Sequence, residues 1–152
     1  METKRIASQL RRSYEGEAWH GPSLRELLED VTAERAAAKP LAGAHSIWEV
    51  VLHIDAWELA ALAVVGGSRF DVLSGDADWP PPRETSAEAW QAALDRLEST
   101  TRELVAMIRA MDDARLEESA GGREFNLYFL LHGVVQHNLY HAGQIALLKK
   151  AG

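Results

Sequence analysis

Residues 126–152 read NLYFLLHGVVQHNLYHAGQIALLKKAG. Leu127, Leu130, Val134, His137, His141, Ile145 and Leu148 recur there at spacings of three and four, the period of one face of an α-helix. Asn126 stands where an N-cap is needed, and Phe125 precedes it as the outer half of a hydrophobic staple with Leu130. The helix thus carries two histidines on its apolar seam. Four residues turn an α-helix by about 400°, so the imidazoles of His137 and His141 lie about 40° apart and about 6 Å along the axis, a placement that suits two ligands of one metal ion. An isolated H-x-x-x-H more often reflects packing than a metal. Burial shifts that balance, because an unpaired imidazole in a core forfeits hydrogen bonds at about 1–3 kcal/mol, whereas a shared divalent ion satisfies both rings.

Three further long segments share this periodicity, and none alternates with the period of a strand. Residues 2–15 carry Ile6, Leu10 and Tyr14 on one side and end near Gly16. Ser46-Ile47-Trp48-Glu49 forms a capping box that opens a helix with Ile47, Val50, Ile54, Trp57, Ala61 and Val64 in its seam, stopped by Gly66-Gly67. Thr85-Ser86-Ala87-Glu88 opens another, whose seam is Trp90, Leu94, Leu97, Thr101, Leu104, Ile108 and Met111. That strict three-four alternation predicts bundle packing. Between the first and second long helices, Ser23-Leu24-Arg25-Glu26 is a second capping box, and Thr32 can open another short helix. The expected fold is all-α, a four-helix bundle, with residues 1–152 forming one domain. Residues 66–84, GGSRFDVLSGDADWPPPRE, are longer than the usual link between neighbouring helices. Stiffened by three prolines, they can run the height of the bundle as a crossover between parallel helices; a mobile surface loop fits the pattern equally well.

Composition excludes several classes of function. With 152 residues the chain can bury a real core, and with no cysteine it has neither disulfides nor a thiolate nucleophile. A metal would be held by imidazole, carboxylate and water, an inventory that suits zinc, nickel, iron or manganese more than copper(I). A net charge of -7 without a basic run argues against nucleic acid. No apolar stretch approaches the roughly 18 residues of a membrane span, and Met1-Glu2-Thr3-Lys4 does not open a signal peptide, so a cytoplasmic location is expected. Phosphate loop, dinucleotide fingerprint, nucleophile elbow and H-E-x-x-H are all lacking.

A third ligand must come from another helix, and His53, beside the Val50, Ile54, Trp57 seam, is the best candidate. Three neutral imidazoles plus water would leave an open site able to act as a Lewis acid. His20 and His45 fall in connections, where solvation is the ordinary expectation. His132 lies about 140° further round the helix from His137 and cannot share its ion. Gln144 either orients water or a bound ligand, or bonds a neighbouring helix; Glu49 and Asp55 are candidates to hold the far nitrogen of His53. The tryptophans, including Trp48 and Trp57, read as core.

Ser46-Ile47-Trp48-Glu49-Val50-Val51-Leu52-His53-Ile54, together with His132-Gly133-Val134-Val135-Gln136-His137-Asn138-Leu139-Tyr140-His141-Ala142-Gly143-Gln144-Ile145, resembles the DinB/YfiT-like superfamily over nearly the whole chain. The resemblance implies a bundle of up-down-down-up order, a divalent metal held by His53, His137 and His141, and a homodimer. Some members are thiol-dependent enzymes that use bacillithiol or mycothiol, and many have no assigned activity. Three functions are therefore open: a metal-dependent S-transferase acting with a low-molecular-weight thiol, a metal-dependent hydrolase, and a stress-associated metal-binding protein without turnover.

Overall fold

Side-chain caps mark where the helices of this chain begin. The computed structural model describes residues 1–152 and contains helices α1 (Glu2–Glu15), α2 (Leu24–Leu28), α3 (Ala33–Ala37), α4 (Ile47–Val65), α5 (Ala87–Ala110) and α6 (Leu127–Ala151), with no strand. Ser23 and Ser46 form the two capping boxes, and Thr32, Ser86 and Asn126 each accept a hydrogen bond from the third backbone N–H of α3, α5 and α6. α1 has no cap of its own, and Asp113 supplies one from across the molecule, accepting from the N–H of Glu2 at 2.7 Å and of Thr3 at 3.0 Å. Such caps contribute typically about 1 kcal/mol each and fix the helix ends.

The four long helices form a ring in which α1 touches α5 and α6, and α4 touches the same two. Pairings along the chain give their directions. Trp48 meets Trp90, Asp55 meets Thr100 and Glu58 meets Thr101, so numbers rise together and α4 lies parallel to α5. His53 meets His141 while Val64 shares a cluster with Leu127 and Leu131, so α4 runs against α6. α1 is parallel to α6, with Ile6 packed among the Leu127 group and Tyr14 among the Ile145 group. The order is up-down-down-up. Residues 66–86 cross the bundle, as parallel neighbours require, and the mobile-loop alternative is not what the structure shows. The crossover is pinned near its start, where the Phe70 N–H donates to Gly121 O at 3.0 Å. Gly121 has φ +60°, and a Cβ there would stand 2.3 Å from Phe70 N, so this close approach requires glycine.

Two apolar clusters fill the interior. One gathers Trp48, Ile54, Leu97 and Ile145; the other gathers Ile6, Leu104, Ile108 and Leu131. Fully burying a side chain of this size contributes about 1.5–3 kcal/mol. Glu58 and Asn138, both without solvent exposure, belong to neither cluster. Thr101 Oγ1 donates to Glu58 Oε2 at 2.5 Å and Asn138 Nδ2 to Glu58 Oε1 at 2.6 Å, which ties α4 to α5 and α6 across the core. Burial pushes the Glu58 carboxyl up to about 7, against the lowering effect of these two bonds. No helix is long and apolar enough to cross a membrane.

This packing corrects the expected seams at three positions. On α6 Leu127, Val134, His141, Ile145 and Leu148 are buried as expected, while Leu131 and Asn138 take the core side in place of Leu130 and His137, which lie on the flank. On α4 the core position is Glu58, and Trp57 turns outward as part of a cavity wall. One residue is about 100° of helix, and in helices that are apolar nearly all round, the period leaves that much ambiguity.

Candidate metal centre

His53 leaves the middle of α4 and meets the two histidines of α6 where these helices face each other. His137 Nε2 lies 2.9 Å from His53 Nε2 and 3.1 Å from His141 Nε2. One nitrogen from each ring falls within 4.8 Å of the others, so the three could serve as ligands of one ion. His53 and His141 are buried, and His137 is half-buried at the edge of a cavity.

The far sides of two rings fix their protonation. His53 Nδ1 is 2.6 Å from the backbone carbonyl oxygen of Asp78, which only accepts, so this nitrogen carries the proton and donates. His141 Nδ1 donates in the same way to Gln144 Oε1 at 2.6 Å. Both Nε2 atoms are consequently bare lone pairs aimed at His137. A proton on His137 Nε2 can satisfy one of them and leaves the other facing it unpaired. A cation satisfies all three, and neutral imidazole is the form that a metal takes, so the residues fit a divalent ion. Burial holds all three rings below the ordinary histidine range. His137 is lowered to about 3 by burial and by its two histidine neighbours, while Asp78 partly offsets the shift at His53 and Gln144 does so at His141.

Asp78 and Trp79 come from the crossover, and no local pattern marks their role. A loop has no period to place its residues, and the only hint was its length beyond a simple link. Besides holding His53 by its carbonyl, Asp78 accepts from Trp57 Nε1 at 2.7 Å through Oδ1. The Trp79 indole lies between two imidazoles, 3.6 Å from His45 and 3.8 Å from His53, with both pairs stacked nearly parallel. His45 is thus a stacking partner as well as an exposed side chain. His20 is exposed, and His132 stands apart from the cluster, packed on Tyr128.

Glu49 and Asp55 do not support His53. Glu49 completes the cap of α4 and pairs with Lys39 at 2.9 Å; Asp55, two residues or about 200° beyond His53, pairs with Arg96 at 2.7 Å and accepts from Thr100 at 2.8 Å. Gln144 takes neither of its two expected roles: its Oε1 accepts from His141 Nδ1 within α6 and so orients that ring. Above the histidines opens a cavity of about 520 Å³, walled by Trp57, Phe70, Phe125, Phe129, Leu130 and Tyr140.

Comparison with curated proteins and with solved structures returns no match. The family model described as DinB superfamily matches residues 18–145, a span that includes His53, His137, His141 and the crossover. With that match over most of its length and an all-helical bundle of the implied order, the chain belongs to the DinB superfamily.

Proposed function

We propose that the protein is a metal-dependent enzyme in which His53, His137 and His141 hold one divalent ion, zinc, nickel, iron or manganese, and that it joins a low-molecular-weight thiol such as bacillithiol or mycothiol, through its sulfur, to an electrophile. The observation that carries this reading is the pair of bare Nε2 lone pairs converging on His137 at the floor of an apolar cavity. A divalent ion there supplies Lewis acidity that lowers the pKa of a thiol or water reaching it. The chain does the rest. Asp78 and Gln144 hold two rings in the tautomer that presents Nε2, and the aromatic walls keep bulk water from the reacting atoms. Among the cavity's side chains Asp78 is the one carboxylate, and its Oδ1 accepts from Trp57 and faces His53 Nδ1 at 3.2 Å, which ties it to the support of the histidines instead of to a water at the site. A thiol, far more acidic than water, needs a base less, which favours sulfur over a hydrolytic nucleophile. With no cysteine in the chain, the sulfur comes from a soluble partner. A homodimer belongs to the same reading, and sedimentation equilibrium checks it.

The test is conjugation of monochlorobimane, in which the thiol sulfur forms a C–S bond, chloride leaves with its bonding pair and the thiol proton passes to solvent. Metal-loaded protein should accelerate this reaction with bacillithiol or mycothiol, and His141→Ala should not. Hydrolysis of esters or amides without thiol, lost in His141→Ala, would select the hydrolase instead. No thiol binding by calorimetry and no activity above the variant would leave a binding protein without turnover.

A further inference from the structure

The cavity above the histidines carries its own statement about what enters it. At about 520 Å³ it falls in the range of small-molecule sites, and no lysine or arginine lines it. Its one carboxylate, Asp78, accepts from Trp57 through Oδ1. An anionic ligand would therefore give up water without finding a basic partner in the walls. Phe129 and Tyr140 stand eleven residues apart on α6, nearly the same face, and remain 65% and 66% exposed, so two aromatic surfaces are left uncovered beside the opening.

Gly133 lies between them and lines the same cavity. It sits inside a helix, where glycine is less stable than alanine, and no backbone strain calls for it, since its φ is not positive. Nor does crowding, because a Cβ built there meets nothing within 4 Å. What the missing side chain leaves is room in the cavity between the two rings.

We propose that this slot binds the electrophilic substrate and that the substrate is a planar aromatic molecule without negative charge, lying over Gly133 between Phe129 and Tyr140. The proposal rests on the metal-dependent reading for the reaction, and stands on the cavity alone for binding.

A matched pair of probes tests it. N-phenyl-1-naphthylamine is uncharged, and 8-anilino-1-naphthalenesulfonate has the same ring system with one sulfonate added. In EDTA-treated protein, so that no ion can hold the sulfonate, the uncharged probe should bind saturably and at least about tenfold tighter than the anion. Gly133→Leu should weaken the uncharged probe at least about tenfold while keeping the metal content of the parent and a melting temperature no lower than the parent's. Phe129→Glu, at an exposed position, should weaken it as well. Equal affinity for the two probes, or undiminished binding in both variants, would overturn the proposal. A protein that binds the uncharged probe yet holds no metal would overturn the metal reading alone.

Discussion

His137 and Asn138 are neighbours in sequence, as are Trp57 and Glu58, and in each pair one side chain faces the cavity while the other faces the core. Two polar clusters on the same helices thus stand nearly back to back with opposite designs. The histidine cluster leaves lone pairs pointing at one another beside open space. The Glu58 cluster is shut away and almost self-satisfied, each carboxyl oxygen accepting one hydrogen bond and only Asn138 Oδ1 left without a partner. Polarity in a core therefore does not by itself identify a site. Unsatisfied convergence on a cavity does, and closed bonding between helices reads as the device that holds α4, α5 and α6 in register.

The largest expected effect breaks the open cluster. His137→Ala should reduce bound metal from about one ion per chain to almost none, a loss of at least about 100-fold in affinity, because two remaining ligands hold ions weakly. His132→Ala should leave it unchanged. Elemental analysis of both variants checks this, and equal metal in the parent and His137→Ala would dissolve the distinction between the clusters.

Next in size is the closed cluster. Glu58 has its folded pKa raised from 4.5 to about 7, so its contribution is fully present below pH 4.5 and is lost as pH rises through 7. Glu58→Gln should therefore stabilise the protein by about 3 kcal/mol above pH 8 and change little at pH 4. The new amide can donate to Asn138 Oδ1 once that side chain turns over. Lowered histidine pKa values act in the opposite sense: stability is complete above the unfolded pKa near 6.5 and falls as acid charges the rings. The two effects oppose each other between about pH 4.5 and 6.5, so urea melts of metal-free variants separate them: Glu58→Gln should remove the loss of stability between pH 4.5 and 7, His137→Ala should lessen the loss as pH falls below 6.5, and the reverse pattern would contradict the assignment.

Chelation comes third. EDTA at pH 7.5 should lower the melting temperature of metal-loaded protein by about 5–10 °C, corresponding to about 2–3 kcal/mol of linked binding energy. The difference should fade below about pH 6, where protons compete for the imidazoles. Differential scanning calorimetry measures it, and no shift in protein known to contain metal would place the ion outside the folded core. Smallest is the support of one ring: Gln144→Ala should cost about tenfold in metal affinity and leave the stability of metal-free protein within about 0.5 kcal/mol. Competition with a chelating dye resolves a change of that size.

Much of this was legible in the residues. Ser46, Ser86 and Asn126 announced three helix starts by chemistry that acts within one turn, and the i, i+4 histidines needed only helical geometry to be paired. His53, expected as the partner from a second helix, does meet the pair, with its Nε2 2.9 Å from that of His137. Glu58 and Asn138 were hidden because their neighbours Trp57 and His137 completed an equally regular seam, and a pattern of periods cannot tell two faces 100° apart when both are occupied by apolar side chains. Asp78 and Trp79 were hidden for a different reason: where a crossover touches a bundle depends on the path of the whole chain, which no local rule encodes.

That path has a kinetic price. In an up-down hairpin of helices, contacts begin a few residues either side of the turn. Here α4 and α5 meet through Asp55 with Arg96, Glu58 with Thr101 and Asp55 with Thr100, at sequence separations of 41, 43 and 45 residues. The cap of α1 by Asp113 spans 111, and the bond of Lys149 to Leu27 spans 122. Chain entropy must be surrendered over those distances before the contacts return any energy. The crossover therefore gives this all-helical protein the contact order of a less local topology, and it should fold more slowly than a bundle of equal size joined by short turns.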